Sequence, residues 1–335
     1  MTTQIRARWA LTIFCILALA VASAAGDHDG AFEETLSVTG PADVEITTGS
    51  GNIDVRPGHD GRVHIRGLIK VDRRVSAEEA DRIIQELVSH PPIEQSGSHI
   101  RIGQIKDWKL GGFLSISFDR HPFSISYELV VPAETRLTSD TGSGDMAVAG
   151  LKGGVKATTG SGSMRLSNLT GVVRPQAGSG NIEMSSVAGT VDAETGSGNI
   201  TATGVSGAVR LRAGSGNLTV DQGALDSAEV ETGSGDVQIR GMRGTLRATT
   251  GSGDVMVSGK PGGDWKVDTG SGSVTLRLSP QAAFTLNAHT GSGSIDSKVA
   301  ITMQGKANRN ELRGVAGAGG PLVSVQTGSG DIRIE

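Results

Sequence analysis

The sequence predicts an all-β protein, a parallel β-solenoid of about 18-residue coils with a small helix-plus-strands insert near the N-terminus. Three observations carry that expectation. The triplet GSG begins at Gly49, Gly142, Gly160, Gly178, Gly196, Gly214, Gly233, Gly251, Gly270, Gly291 and Gly328, and from 142 to 291 the steps are 18, 18, 18, 18, 19, 18, 19 and 21 residues. Between the triplets apolar and polar residues alternate, which is the period of a strand with one face buried. The 335 residues include 50 glycines but only 3% aromatics, which suits a narrow core of small aliphatic side chains. A sandwich of antiparallel hairpins is the structural rival, but it gives no reason for each repeat to restore the same residues at the same corner.

Residues 1–24 read as a signal peptide. Arg6 and Arg8 precede the apolar run "WALTIFCILALAVASA", and Ala22-Ser23-Ala24 supplies the small-residue cleavage pattern. The run is shorter than the ~20 residues that span a bilayer. Cys15, the only cysteine, lies inside it, preceded by "TIF" rather than a lipoprotein pattern, so the mature chain is expected to hold no disulfide and no transmembrane span.

Residues 25–67 are assigned to the first solenoid strands, and residues 68–140 to a cap or insert. In "SAEEADRIIQELVSHPP", Ser76 and Glu79 have capping-box spacing, Ala80, Ile83, Ile84, Leu87 and Val88 form one apolar stripe, and Pro91-Pro92 ends the helix. Strand-like stretches follow: "HIRIGQI", "FLSISF" and "FSISYELVV", the last two around a "DRHP" turn. The loop "KDWKLGGF" offers Trp108 and Phe113 as a binding surface, the alternative to a purely covering role for a segment that also holds Phe118, Phe123 and Tyr127.

Residues 141–335 form the repeat domain. After each GSG comes a short alternating segment, such as "NIEM", "NITA", "NLTV", "DVQI" and "DVMV". A second segment leads into the next GSG, such as "GTVDAET", "GAVRLRA" and "GTLRATT", opened by glycines at 171, 189, 207, 244 and 263 that mark a second corner. In "GAVRLRA", Val209, Leu211 and Ala213 are expected inside, Arg210 and Arg212 outside. A unit this short cannot fold alone, so its backbone groups must pair with the coils above and below, about 4.8 Å away.

The residue after GSG is Asp145, Ser163, Asn181, Asn199, Asn217, Asp236, Asp254, Ser273, Ser294 or Asp331. Short polar side chains bond well to turn backbone, so stacked coils should carry a polar ladder along one edge. A phosphate-binding P-loop is not supported, because no lysine follows the glycines and a strand rather than a helix comes next. A calcium-binding β-roll carries its G-G-x-G-x-D nonapeptide in each half-coil, whereas this chain has one such corner per coil. Asp236 and Asp254, on adjacent coils, are expected roughly 5 Å apart, close enough to raise one pKa or recruit a cation. No third group is seen to converge on them, so no catalytic, cofactor-binding or metal-binding residue is assigned and no cofactor is expected. The seven histidines lack metal-ligand spacing.

The net charge is −4 and no basic run occurs, which gives nucleic-acid binding no support. Arg210, Arg212, Glu229, Glu231, Arg240, Arg247 and Lys266 alternate in sign along the expected outer face, the pattern of a solvated surface rather than a field for one charged polymer.

The stretch "ISYELVVPAETRLTSDTGSGDMAVAG" and the C-terminal "LRGVAGAGGPLVSVQTGSGDIRIE" resemble a bacterial family of β-strand-repeat domains, with TGSG[DN]I repeats, known as "putative adhesins". The resemblance covers nearly all of the mature chain. It implies a right-handed parallel β-helix-like repeat in the cell envelope and brings no catalytic residue with it. The function expected is a non-enzymatic exported solenoid, an adhesin-like binding or scaffold module with an envelope protein or glycan as partner. Two alternatives are a polysaccharide-degrading β-helix enzyme using Asp236 and Asp254, and a structural envelope protein that self-associates through the C-terminal solenoid edge.

Overall fold

The computed structural model describes residues 29–103, 109–110, 114–115, 122–221, 224–303 and 308–335. The expected signal peptide with Cys15, the aromatics Trp108, Phe113 and Phe118, and most of the "DRHP" turn lie outside the described residues.

The chain enters through β1 (Asp29–Ser37), β2 (Asp43–Thr48), β3 (Ile53–Gly58) and β4 (Arg62–Val71). Helix α1 (Ala77–Ser89) follows, capped by Ser76, whose hydroxyl accepts the Glu79 N–H at 3.3 Å. Ala80, Ile83 and Leu87 are buried, while Ile84 and Val88 pack half-buried beside them. The helix lies so close to β1 that a Cβ on Gly30 would stand 2.4 Å from Ile84 Cγ2. Next come β5 (Ile93–Ser96), β6 (His99–Ile102), the short pair β7 (Lys109–Leu110) and β8 (Leu114–Ser115), and β9 (Phe123–Pro132).

Repeat strands then follow: β10 (Arg136–Thr141), β11 (Met146–Ala149), β12 (Val155–Thr159), β13 (Met164–Ala177), β14 (Ile182–Thr195), β15 (Ile200–Thr203), β16 (Ser206–Ser215) and β17 (Leu218–Asp221). They continue as β18 (Ala224–Ser234), β19 (Val237–Met242), β20 (Thr245–Ser252), β21 (Val255–Gly259), β22 (Trp265–Ser271) and β23 (Val274–Leu278). The last six are β24 (Phe284–Ser292), β25 (Ile295–Ser297), β26 (Ile301–Met303), β27 (Glu311–Ala316), β28 (Leu322–Ser329) and β29 (Ile332–Ile334).

Two parallel ladders run the length of the repeats. Residues before each GSG pair coil to coil, as Val155↔Val173↔Val191↔Val209, and so do those after it, as Met164↔Ile182↔Ile200↔Leu218. The register is the 18-residue period, and the 19-residue step after Gly214 is absorbed by a shift at Gly207/Ala208. Val209, Leu211 and Ala213 point inward and Arg210 is exposed, the alternation read from the sequence.

The glycines expected to mark the second corner, Gly171, Gly189 and Gly207, do have positive φ (95°, 142° and 104°), and a left-handed turn residue precedes each by three positions, at Asn168, Ser186 and Gly204, with Gly150 one coil earlier, at φ of 53°, 55°, 64° and 70°. These positions are 18 residues apart, so the corner repeats even where glycine does not.

At the N-terminal end β6 lies parallel on β2, and β9 lies parallel on β3. Beyond β9 the sheet turns antiparallel, β9–β4–β1, with α1 packed behind it. In this layer Phe32 sits opposite Gly67, where a Cβ would meet its ring at 2.2 Å, and stacks edge-on against Tyr127 at 6.4 Å. Its strands come from both sides of residue 67, so only Asp43–Gly58 of the first segment forms a parallel coil, and β10 already belongs to the ladders.

The C-terminal end departs from chain order. β28 is flanked by β22 and β24, and β29 by β23 and β25. The coil carrying Gly328 is therefore threaded between those carrying Gly270 and Gly291. The final strand β29 has a neighbour on each side, so the C-terminal edge of the solenoid lies elsewhere than at the last strand. The end of the array is formed by β25 and by β27, which folds antiparallel onto β24 and β26.

Candidate functional site

Two hydrogen-bonded rows run along the GSG corners. The inner row is the buried threonine before the triplet. Thr250 Oγ1 donates to the carbonyl oxygen of Gly235, one coil away, at 3.0 Å, and Thr195, Thr232, Thr269, Thr327 and Thr290 do the same to Gly180, Gly216, Gly253, Gly272 and Gly330. A buried carbonyl left without a donor is costly, which accounts for a hydroxyl where an aliphatic residue would otherwise pack. Ala177 and Ala213 stand in this row without one.

The outer row is the polar ladder expected after the glycines. Asn217 Oδ1 accepts the Asp236 N–H, Asp236 Oδ1 accepts the Asp254 N–H, and Asp254 Oδ1 accepts the Ser273 N–H, at 2.8 to 2.9 Å. The same bonds link Asn52, Asp145 and Ser163, link Asn181, Asn199 and Asn217, and join Asp331 to Ser294. Among the described residues the runs end at serines, whose side chains are one atom too short to reach the next coil. Asp236 and Asp254 are thus brought to adjacent coils as acceptors for backbone. Among the described residues no group of three or more His, Cys, Asp or Glu side chains is arranged to hold a metal ion.

Identical triplets adopt two geometries. At Gly144, Gly162 and Gly198 the second glycine's N–H turns inward to its own coil's threonine, Thr141, Thr159 or Thr195. At Gly216, Gly235, Gly253, Gly272 and Gly330 it points along the solenoid instead: Gly216 N–H donates to Ser234 O, Gly235 to Ser252 O and Gly253 to Ser271 O, with φ of 156°, 157° and 152°. The leading strand then extends through the serine, and Ser215, Ser234, Ser252, Ser271, Ser329 and Ser292 join its ladder.

A groove of about 900 Å³ lies against these coils, from Glu194 and Thr195 across to Gly291 and Gly328. Its floor is made of the corner glycines and the threonine row. One wall is a single file of register-matched side chains: Glu194, Arg212, Glu231, Thr249, Asp268, Gln326 and His289. Lys266 pairs with Asp268 at 3.4 Å within it. A neighbouring hollow of about 500 Å³ continues over Asp192, Arg210, Glu229 and Arg247, where Arg210 Nε donates to Glu229 Oε2 at 2.7 Å. The lining offers charge, amide, hydroxyl and bare backbone, and no Trp, Tyr or Phe ring. Arg212, Glu231 and Lys266 lie on the outer face as their alternation in the sequence requires, and the groove joins them across neighbouring coils, a relationship that the alternation within one coil does not express.

The molecule is therefore of the parallel β-solenoid class, capped at its N-terminal end and grooved along one face. Residues 171–335 match the family model Toastrack DUF4097. No curated protein matches the chain. Among solved structures, the chain is similar to a "putative cell adhesion protein" from Clostridium sporogenes at 11% identity, covering 90% of this chain and 97% of that one with a TM-score of 0.23. A "putative lipid binding protein" from Parabacteroides distasonis matches at 11% identity over 91% and 97%, with a TM-score of 0.38. A "putative adhesin" from Bacteroides fragilis matches at 12% identity over 91% and 97%, with a TM-score of 0.32. Among the described residues no helix is long and apolar enough to cross a membrane.

Proposed function

We propose that this chain is a non-enzymatic, exported, adhesin-like binding module of the bacterial cell envelope, a right-handed solenoid that lays an extended polar ligand along the groove of Arg212, Glu231 and Asp268. The groove carries this reading. It runs along the solenoid axis on rigid paired strands, so its wall groups recur about every 4.8 Å and suit a polymer rather than a compact molecule. With no Trp, Tyr or Phe ring to stack a sugar face, recognition rests on hydrogen bonds and charge, which an extended protein segment or a charged or amide-bearing glycan satisfies.

The test is binding of the mature chain to envelope extracts and glycan arrays, with Arg212→Glu and Glu231→Arg as separate variants. Both are surface changes expected to leave folding intact, and each should lower retention at least tenfold. Unchanged retention in both removes the groove from the reading. N-terminal sequencing of the secreted product should begin near Ala25; retention of residues 1–24 removes export by cleavage.

The enzymatic alternative assigns turnover to Asp236 and Asp254. Each already accepts a backbone N–H from the next coil. Asn, which stands at the same position in Asn181, Asn199 and Asn217, keeps that acceptor. The double substitution Asp236→Asn/Asp254→Asn should therefore leave stability nearly unchanged. Release of unsaturated sugars by the wild type, lost in this variant, would establish the enzymatic reading instead.

A further inference from the structure

The threading of the C-terminal coil divides the solenoid at one place. Among the described residues, β24 pairs with β27 and β28, β25 with β29, and β26 with β27; of the strands in this segment only β28 and β29 pair with β22 and β23. Residues 284–335 are thus a self-paired unit, with further internal bonds from Thr290 to Gly330 O and from Ser294 to Asp331 Oδ1. Strand pairing to the body runs through a single seam, β22–β28 and β23–β29. From β10 to β23 the chain passes from each coil to the adjacent one, whereas residues 133–135 step from β9 to β10 past the coil of β2 and β3. At the C-terminal end it must again step over an inserted coil, a distance of about two strand spacings, in the five residues 279–283. That link is a tight turn, with the Ala282 N–H donating to Ser279 O at 2.8 Å and the Ser279 N–H tied to Gly259 O at 3.0 Å.

We propose that residues 284–335 are an exchangeable end module, and that two copies of this chain associate by trading it across the β22–β28 seam. Opening the seam leaves two complementary parallel edges, and the module of a second copy restores every register pair from Trp265↔Val323 to Leu276↔Ile334. The exchanged and closed forms contain the same bonds and differ only at 279–283. A short link that steps over a coil in the closed form is relieved of that step in the exchanged form, which is the arrangement hinge-loop exchange uses.

A cysteine pair placed across the seam reads this out. Thr275 and Arg333 face each other in register, at a parallel-strand spacing of about 4.8 Å that lies within the range a disulfide bridges. The full chain, with Cys15→Ser and Thr275→Cys/Arg333→Cys, is refolded at increasing concentration, separated by size and oxidised. Monomers should close the bond within one chain. Dimers should close it between chains and run at double mass on a denaturing gel. A control pair inside the body, Thr219→Cys/Gln238→Cys, should stay within one chain in both fractions. Dimers whose 275–333 bond is intramolecular, or no dimer at any concentration, overturn the proposal. A second variant needs no cysteine: four flexible residues inserted after Ala282 should lower the dimer fraction several-fold, and an unchanged fraction counts equally against exchange.

Discussion

The hydroxyl of Thr250 is buried and donates to the carbonyl oxygen of Gly235, 3.0 Å away in the adjacent coil. Thr250→Val keeps the shape and removes the donor. The Gly235 carbonyl then stands without its partner, a loss of about 1–3 kcal/mol. The reverse experiment is available at Ala213, which is in register with Thr195 and Thr232. Ala213→Thr should gain about 0.5–1.5 kcal/mol by extending the row. Urea titration followed by circular dichroism checks both, and the opposite signs are the point: a row that merely fills space would not distinguish Thr from Val.

Gly253 requires the absence of a side chain. A Cβ there would lie 2.1 Å from Gly235 O, and φ is 152°. Since the contact is with backbone already paired in the ladder, it cannot be relieved by a rotamer change. Gly253→Ala should cost at least about 2 kcal/mol, whereas Ser252→Ala, at an exposed position between the two glycines, should fall within about 0.5 kcal/mol of wild type. Thermal melts of the two single variants make the comparison.

At the other corner Ser186 holds φ of 55°, a conformation that an L-residue with a Cβ adopts at a cost of about 1–2 kcal/mol. Its counterparts one coil away on either side are Asn168 and Gly204. Ser186→Gly should stabilise the chain, by less than the full relief because glycine also gains freedom in the unfolded state. A melting temperature below that of wild type would contradict the strain.

The repeat, its register and the inward residues were legible in the sequence, because one side-chain period and one corner recur at a fixed spacing. Val209, Leu211 and Ala213 against Arg210 needed nothing more. The spatial order of the last coils was not legible. "TGSGDIRI" at 327–334 has the same corner as every other coil, and a repeat specifies what a coil looks like without saying which coil lies next to it. The only trace was the irregular spacing from Gly270 to Gly291 and on to Gly328. The change of corner geometry was hidden for a related reason: Gly198 and Gly216 close identical triplets one coil apart, yet one N–H turns to Thr195 and the other to Ser234 O. Strands β1 and β4 alternate like repeat strands but pair antiparallel, since alternation fixes a buried face and leaves strand direction open.

Asp331 introduces a pH dependence at the last corner. Its carboxylate accepts the Ser294 N–H and then the Ser294 hydroxyl, and these bonds, with Arg333 nearby, hold its pKa below the ordinary 3.8. The unfolded chain therefore takes up this proton first as pH falls. The stabilisation is complete above about 3.8 and is lost as pH drops through the lower folded value. Asp331→Asn retains an acceptor oxygen and removes the proton, so the acid limb of the stability curve should flatten below pH 4 while neutral-pH stability holds. A curve of unchanged steepness would mean that other carboxylates dominate.

Trp265 joins the body to the inserted coil. It is 1% exposed, faces Val323 across the seam, and donates its indole N–H to Gly244 O at 2.9 Å. Trp265→Phe should cost about 1–3 kcal/mol, mostly through the Gly244 carbonyl it leaves unpaired. Trp265→Ala adds a cavity and should cost about 3–5 kcal/mol. The loss is local to the seam between the body and the inserted coil, so proteolysis should report it before global unfolding does. In Trp265→Ala, cleavage should appear first within residues 279–283, at protease concentrations that leave the repeats from Met146 to Ser234 intact. Cleavage spread evenly along the solenoid would show instead that the coils fail together, and that the seam is no weaker than any other junction.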